Sequence, residues 1–290
     1  MPDYVILTDS SADLSAEMVR EAGVTVLPLS FTIQGETYEN TPDNREMDPA
    51  LFYDMLRAGE LATTSAVNVA AYTDTVEPLL QAGKDVLILA FSSGLSTTCN
   101  SAEVAAEELR ERYPQRKLYV VDTLCASLGQ GLLVWLAARE QKKGRTIEEV
   151  RDWAEAHKQA VCHQFTVQDL KFLKRGGRIT ATTAVLGSML QIKPLLHVDQ
   201  EGRLTAVGKA RGRHASLKVL VDRMEKTVTD EGRETVFISH GDCRGDADKV
   251  AEMVRERFGT RDVRINYVGP VIGAHSGPGT LALFYLGTER

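Results

Sequence analysis

Apolar and polar positions follow two alternating patterns along this chain: short continuous apolar runs, and longer stretches with an apolar residue at every third or fourth position. The first pattern is typical of buried β-strands and the second of amphipathic α-helices. In the first half of the chain, strands are predicted at 4–8, 24–33, 85–91 and 117–121. Helices are predicted at 15–22, 48–59, 68–81 and 125–143. One more helix is predicted after the serine-rich loop that follows the strand at 85–91, and it ends at about residue 112. Strands separated by helices favour a parallel sheet, because parallel neighbours need a long crossover connection.

Several residues at the predicted helix ends support these boundaries. Asp48 is followed by Pro49, which is the usual order of an N-cap and a first helical position. Gly23 suits the position just after a helix, where the backbone turns left-handed. Thr146 and Glu149 have the spacing of a capping box and predict one more helix.

The second half of the chain reads differently. A hairpin is predicted about 199–202, and other strands and helices alternate less regularly, at 161–167, 192–198, 203–208, 213–228, 234–239, 245–258, 262–268 and 281–286. This mixture predicts a smaller α+β domain at 161–290, packed against an N-terminal parallel-sheet α/β domain at 1–160. We therefore expect an α/β protein of two domains.

Composition limits the class of protein. The chain has 290 residues, of which 43% are hydrophobic and 26% charged, as in a folded globular protein. Its formal net charge of −6 argues against a nucleic-acid partner. The apolar run at 132–138 is too short to span a bilayer, and the first residues lack the basic stretch of a signal peptide. We therefore expect a cytoplasmic protein.

The four cysteines indicate neither a disulfide framework nor a metal site. Cys99, Cys125, Cys162 and Cys243 fall in different predicted elements, and none forms a C-x-x-C pair. His157 and His163 lie near Cys162, but without recognised metal-ligand spacing. We expect reduced thiols and no bound metal.

Positive charge is concentrated in one segment. Residues 169–218 contain ten lysines and arginines but three acidic residues, although the chain as a whole is acidic. Such a segment can attract a phosphate, an anionic membrane or an acidic partner. The alternative is a solvated surface with internal ion pairs.

Four loops that carry hydroxyl or aspartate side chains are predicted to follow strands, at 8–11, 63–66, 92–98 and 122–123. Ligands of open α/β sheets bind at the carboxyl ends of strands, so these loops can converge on one cleft. Ser96 suits an N-cap position, where free backbone N–H groups attract anions. Each loop taken alone is equally compatible with a plain serine cap or turn.

Two further segments carry candidate chemistry. His275 lies in a glycine-rich stretch at 269–279, an unusual setting for a core histidine, although a structural role stays open. Arg178 lies in a basic turn at 172–179 and could bind a phosphate or carboxylate, unless this turn is simply exposed.

The familiar nucleotide and hydrolase motifs are missing. No G-x-x-x-x-G-K-[ST] or well-placed G-x-G-x-x-G is present, so a nucleotide cofactor is unsupported. No G-x-S-x-G elbow is present either, although Ser93 or Ser96 with His275 and Asp9 could imitate a catalytic triad.

Taken together, the chain resembles the DegV family of bacterial fatty-acid-binding proteins. The resemblance covers essentially the whole chain and rests on the order and spacing of its motifs, which are Thr8-Asp9-Ser10-Ser11-Ala12-Asp13, Thr64-Ser65, Ser92-Ser93-Gly94-Leu95-Ser96, Val121-Asp122-Thr123 with Ala126-Ser127, Lys174-Arg175-Gly176-Gly177-Arg178, Ile192-Lys193-Pro194, Gly208-Lys209-Ala210-Arg211-Gly212, and His275 with Gly277-Pro278-Gly279.

The resemblance implies a long-chain fatty acid held in a cleft between the two domains, with no other cofactor. It implies that the fatty-acid carboxylate is bound by Thr64, Ser96, Ser93, Gly94 and His275. The helices at 128–136 and 185–190 are candidates to line the acyl tail.

The resemblance also implies a role for the protein. It would have no catalysis of its own and would present the fatty acid to a separate ATP-dependent fatty-acid kinase, similar to dihydroxyacetone kinase, that forms acyl-phosphate. Arg178, Lys209 and Arg211 would then serve the partner or the phosphate, with possible transient contact with an anionic membrane.

The sequence departs from the family pattern at Ala66, where the family has glutamine, and at Thr97, where it has glycine. Two alternatives therefore stay open. One is a Ser/His acyl-ester hydrolase, and the other is a binding module for another small carboxylate or a phosphate.

Overall fold

The computed structural model describes residues 4–168, 170–179 and 191–290. The tail-lining helix expected at 185–190 lies outside the described residues. The strands are β1 (Tyr4–Asp9), β2 (Thr25–Leu27), β3 (Leu29–Ile33), β4 (Glu36–Asn40), β5 (Ala62–Ser65), β6 (Asp85–Ala90), β7 (Leu118–Asp122), β8 (Val161–Thr166), β9 (Ile192–Val198), β10 (Leu204–Arg211), β11 (Thr235–His240), β12 (Asp262–Tyr267) and β13 (Leu281–Leu286). The α-helices are α1 (Ala16–Ala22), α2 (Pro49–Arg57), α3 (Val69–Gln81), α4 (Thr98–Arg112), α5 (Leu128–Lys142), α6 (Ile147–His157), α7 (Lys171–Arg175), α8 (Arg213–Thr227), α9 (Arg244–Phe258) and α10 (Pro270–Ser276).

The first half of the chain contains the predicted parallel sheet, with strand order β2-β1-β6-β7. Leu7 of the inner strand β1 lies opposite Ile88 on one side and Thr25 on the other. The inner strands β1 and β6 are almost wholly buried, as strands covered by helices on both faces must be. This confirms the α/β prediction.

The predicted single strand at 24–33 was wrong. Pro28 separates β2 from β3, which belong to different sheets. Proline has no N–H to donate to a sheet, so the chain leaves the parallel sheet there. β3 instead pairs antiparallel with β4 and β5 in a small three-stranded sheet, and the sequence analysis predicted neither of these partners.

The second half forms a six-stranded mixed sheet with strand order β10-β9-β8-β13-β11-β12. The predicted hairpin is confirmed, since β9 and β10 pair antiparallel. Residues of β13 alternate between the two faces. Leu283 and Tyr285 pack in the cluster that includes α8 and α9, whereas Ala282 and Phe284 pack in the cluster that includes α5.

Helix α5 joins the two sheets. Thirteen of its fifteen residues are buried, which is expected of a helix that is packed on every side. Two glycines permit this close packing, because a Cβ at Gly129 would collide with His163 and a Cβ at Gly131 would lie 2.6 Å from the carbonyl oxygen of Ala12. The hydrophobic cluster around α5 therefore contains residues of both sheets.

Among the described residues, two ion pairs also connect the first half of the chain (residues up to 160) with the second half (residues from 161). Arg264 binds both carboxylate oxygens of Glu21, at 2.6 and 3.0 Å, and its guanidinium lies 3.9 Å from the ring centre of Trp135. Arg57 contacts Asp242 at 2.6 Å. These side chains are partly exposed, so each pair contributes at most about 1 kcal/mol.

Membrane-spanning helices are not found in the part of the chain that the structure describes, where every helix is too short or too polar.

A cavity with a polar wall and an apolar floor

A cavity of about 480 Å³ lies where the two halves of the chain meet. This volume is in the range of small-molecule sites. Its walls come from β5, the loop after β6, the residues before α5, the α5-facing side of the six-stranded sheet, and α10.

The floor of the cavity is one row of the six-stranded sheet. Ala282 of β13 lies between Phe165 of β8 and Ser239 of β11 in register, and all three line the cavity. Phe284 and Leu204 extend this surface. Most of the floor is therefore apolar.

The residues that line the cavity near α5 are Ala126 and Ser127, which precede the helix. The helix residues 128–136 lie instead in the hydrophobic core. They do not form the tail-lining surface that the sequence analysis expected.

Thr64 and His275 form a hydrogen-bonded pair in the wall of the cavity. Thr64 Oγ1 lies 2.8 Å from His275 Nε2, and both residues line the cavity. Thr64 is held in β5, opposite Phe31, rather than in the predicted loop. His275 lies in α10, which begins with Gly269 and Pro270, so the glycine-rich stretch is a short helix and not an open loop.

Burial keeps the His275 imidazole neutral. Burial first, and then the positive charges of Arg178 and Arg175, lower the pKa of His275 to about 4. Nδ1 of His275 is buried and has no hydrogen-bond partner among the described residues. Gly176 packs against this nitrogen so closely that a Cβ would collide with it. The ring can therefore hydrogen-bond a ligand without first carrying a charge.

Ser96 reaches the cavity from the loop after β6. Its Oγ accepts a hydrogen bond from the Thr98 amide at 3.2 Å and lies 3.0 Å from Thr98 Oγ1. The N-cap position of α4 is Thr97, whose side chain makes no capping hydrogen bond. The predicted N-cap was therefore one residue early, although the Ser96 hydroxyl still satisfies an amide at the helix start.

Ser93 and Gly94 belong to the same loop, but only Ser93 lines the cavity. Ser93 lines the cavity and is exposed, and its amide donates to Asp122 at 3.2 Å. Gly94 is not among the lining residues. It packs instead against the β9–β10 turn, where a Cβ would lie 2.6 Å from the carbonyl oxygen of Glu201.

Arg178 lines the cavity beside the Ser96 loop. Its Nε donates to the carbonyl of Leu95 at 3.1 Å and its Nη1 to that of Gly176 at 2.6 Å, and burial lowers its pKa. Lys209 and Arg211, by contrast, are exposed on the edge strand β10 and do not line the cavity. The structure thus separates the three basic residues that the resemblance grouped.

Two of the four loops that were predicted to converge do not line the cavity. Asp9 is buried and accepts hydrogen bonds from the Phe91 amide at 2.8 Å and from Gln130 at 3.2 Å, so it supports the loop after β6 from below. Burial raises its pKa. Asp122 likewise accepts from the amides of Ser93 and Leu124.

Five buried polar residues of the cavity wall were not predicted from the sequence: Ser127, His163, Ser239, Ser276 and Thr280. His163 Nδ1 bonds to the carbonyl of Val161 and its Nε2 accepts from the amide of Ala126, so both ring nitrogens have partners. Burial lowers its pKa well below the usual range. The alternation in 161–167 held the signal for His163, since Phe165 on the same face also lines the cavity.

Groups of three or more histidine, cysteine, aspartate or glutamate side chains that could hold a metal ion are absent from the described residues.

Comparisons with known proteins identify relatives along the whole chain. A family model described as "Uncharacterised protein, DegV family" matches residues 3–288. A DegV domain-containing protein of Clostridium perfringens is 46% identical over 290 residues, which cover 100% of this chain and 99% of that protein.

Solved structures extend the comparison. A DegV family protein from Thermus thermophilus, described for its fatty acid binding, has 31% identity and a TM-score of 0.86, with 98% of this chain and 99% of that chain covered. DegV from Bacillus subtilis, described as a fatty acid binding protein, has 27% identity and a TM-score of 0.84, with 99% and 100% covered. With the family model matching almost every residue, this chain belongs to the DegV family.

Proposed function

We propose that this protein binds one long-chain fatty acid in the cavity, between an N-terminal domain at 1–160 and a C-terminal domain at 161–290. The acyl tail would lie on the apolar floor, and the carboxylate would be bound by Thr64, Ser96 and His275, with Ser93 and Gly94 in the neighbouring loop. The observation that carries this proposal is the Thr64–His275 pair in the wall of a cavity whose floor is mostly apolar.

The energetics suit such a ligand. Burial of a methylene group contributes about 0.8 kcal/mol, so roughly fourteen methylenes contribute on the order of 11 kcal/mol before the cost of ordering the chain. The tail alone therefore supplies enough free energy for tight binding. The carboxylate then needs hydrogen-bond donors to offset its loss of water, rather than a buried ion pair.

The cavity wall supplies those donors. The hydroxyls of Thr64 and Ser96 and the neutral ring of His275 can each hydrogen-bond a carboxylate, and the half-buried guanidinium of Arg178 adds positive charge nearby. Relatives that are described as fatty acid binding proteins share this fold over the whole chain.

The finer role is that of a carrier without independent catalysis. The protein would present the carboxylate, in the cytoplasm, to a separate dihydroxyacetone-kinase-like fatty-acid kinase that forms acyl-phosphate. Arg178 supports this role because it lies at the cavity, while Lys209 and Arg211 are exposed for contact with the kinase or an anionic membrane.

The hydrogen bonds of the site favour binding over ester hydrolysis. His275 Nε2 is bonded to Thr64, and the Ser96 hydroxyl is bonded to Thr98. Asp9 accepts a hydrogen bond from the Phe91 amide. Ser96, His275 and Asp9 are therefore each engaged elsewhere, and Asp9 does not line the cavity.

Extraction of bound lipid tests the proposal directly. Protein purified from a bacterial host is denatured, extracted and analysed by mass spectrometry, and we expect close to one long-chain fatty acid per chain. A thermal-shift panel that compares fatty acids with small carboxylates and phosphates tests the alternative that the protein binds one of those smaller ligands. Stabilisation by phosphates alone, with no extracted fatty acid, would contradict the proposal.

A further inference from the structure

A buried aspartate next to the cavity belongs to neither the proposed carboxylate site nor the basic surface. Asp13 follows the turn after β1 and is 6% exposed. Its Oδ2 accepts a hydrogen bond from Ser127 Oγ at 2.5 Å, and its Oδ1 accepts from the amide of Gly269 at 3.0 Å. Its backbone carbonyl accepts from Asn266 at 2.7 Å. One residue thus contacts the start of α5, the end of β12 and the start of α10.

These contacts cross from one half of the chain to the other. Asp13 and Ser127 belong to the first half, whereas Asn266, Gly269 and Ser239 belong to the second half. Ser239 Oγ lies 3.0 Å from Ser127 Oγ, so the hydrogen-bond chain runs from Asp13 through Ser127 to the cavity floor. Gly269 is also the N-cap residue of α10, the helix that carries His275.

The backbone of Ser127 shows that this arrangement is imposed by its surroundings. Ser127 has φ 54° and ψ −148°, a conformation that costs an L-residue free energy. Serine at a helix start usually caps the helix, but the Ser127 side chain makes no capping hydrogen bond. Its hydroxyl is directed to Asp13 instead.

The charged and titratable surroundings of Asp13 are unfavourable to its ionised form. Asp9 on its own segment is a second buried carboxyl group, and Tyr53 of α2 and Tyr267 of β12 are the titratable groups nearby from packed elements. The groups that reach it from α5, β11 and α10 are the neutral Ser127, Ser239 and the Gly269 amide. Burial, with a smaller effect of Asp9, raises the pKa of Asp13 to about 7.

We propose that Asp13 is a positioning residue that holds the two halves closed over the ligand, and that loss of its proton loosens this closure and releases the fatty acid. The inference rests on the proposed function. It adds a residue that controls release of the fatty acid without being one of the residues proposed to bind the carboxylate.

The direction of the pH effect follows from linkage. Opening exposes Asp13 to water, where its pKa returns to ~3.9, so the closed state binds the proton more tightly than the open state. The closed state is therefore most favoured at low pH, and the preference is lost as the pH rises towards 7. One proton is involved, so the dissociation rate should rise about tenfold per pH unit between pH 5 and 7 and level off near pH 8.

Dissociation of radiolabelled stearic acid into fatty-acid-free albumin, measured from pH 5 to pH 8, tests this inference. Asp13→Asn mimics the protonated side chain, so we expect its rate to change by less than about threefold over this range and to be well below the wild-type rate at pH 8. Asp248→Asn is the matched control, because Asp248 is exposed and its ion-pair partner Arg244 lies in the same helix, so the wild-type profile is expected.

Ser127→Gly tests whether the dissociation profile depends on the hydrogen bond to Asp13 or on the stability of the fold. Glycine adopts the Ser127 backbone conformation without strain, so the unfolding midpoint of the ligand-free variant should stay within about 3 °C of wild type. Asp13 loses a hydrogen-bond donor in this variant, so its pKa rises and the dissociation profile should extend to higher pH.

A pH profile that is the same in wild type and Asp13→Asn would overturn the inference while leaving fatty-acid binding intact. An unchanged profile in Ser127→Gly would also contradict it. Absence of stearic acid binding at every pH would remove the proposed function, and this inference with it.

Discussion

Thr64 Oγ1 and His275 Nε2 are 2.8 Å apart, although 211 residues separate them in the chain. Thr64 is in an edge strand of the small antiparallel sheet, and His275 is in a seven-residue helix. α10 packs against β3, β5 and α2, and this packing brings the two side chains together. Both side chains line the cavity.

Thr64→Val should weaken fatty-acid binding. Valine keeps the shape of the side chain and its preference for a strand, but it removes the hydroxyl that hydrogen-bonds His275 and, in our proposal, the carboxylate. Loss of a hydrogen bond of about 1–2 kcal/mol corresponds to a five- to thirtyfold increase in Kd, measurable by isothermal titration. Thr63→Val on the exposed face of the same strand is the control, with an unchanged Kd expected. Equal effects of both variants would show that the strand, and not the Thr64 hydroxyl, is what matters.

Ser96→Ala and Arg178→Ala should affect different steps. We expect Ser96→Ala to lower the amount of fatty acid retained on purification more than Arg178→Ala does, because the Arg178 guanidinium already donates to two backbone carbonyls. With the kinase present, Arg178→Ala should reduce acyl-phosphate formation more strongly. Lys174→Ala, an exposed cation of the same segment, is the control for charge. The same loss of lipid in Ser96→Ala and Arg178→Ala would refute this division.

The pKa of His275 should rise when a fatty acid binds. It is about 4 in the ligand-free cavity, and a carboxylate beside the ring favours the imidazolium form. An NMR titration of the ring carbons, with and without bound stearic acid, measures both values. An unchanged pKa would place the carboxylate away from His275.

The pH dependence of the protein's stability gives a second test of the low pKa of His275. Its pKa is lower in the folded protein than the ~6.5 of an exposed histidine, so its contribution to stability is present above pH 6.5 and is lost as the pH falls towards 4. His275→Gln cannot take up this proton. Its unfolding midpoint should therefore fall less steeply than that of wild type between pH 7 and 5, and parallel curves would contradict the burial of a neutral ring.

Gly94→Ala tests a packing role. The added methyl would meet the Glu201 carbonyl of the β9–β10 turn, so we expect a loss of about 1–3 kcal/mol in the free energy of unfolding, measured with denaturant. Gly245→Ala is the matched control. Gly245 is exposed in α9 with open space around its Cβ position, so alanine should raise stability by about 0.5 kcal/mol. A stable Gly94→Ala variant with weakened lipid binding would instead assign Gly94 to the carboxylate site.

The sequence by itself determined the elements whose signals are local. Strands β1 and β6 are continuous apolar runs, α2 begins at Asp48-Pro49, and α6 has the Thr146–Glu149 capping box, with both hydrogen bonds present. The motifs were also sufficient for the family, because their order along the chain does not depend on knowing their contacts. Where a local signal was overlooked, as at Pro28, the predicted strand was wrong.

Only the tertiary structure decided which polar residues share the cavity. Thr64, Ser96 and His275 line it from three separate elements, whereas Asp9 and Asp122 follow strands in the same way and instead support loops beneath it. The partnership of Asp13 with Ser127 had no signal in the sequence either. Hydrophobic periodicity records whether a side chain is buried, but not which distant residue it meets, because packing between sheets depends on the whole chain.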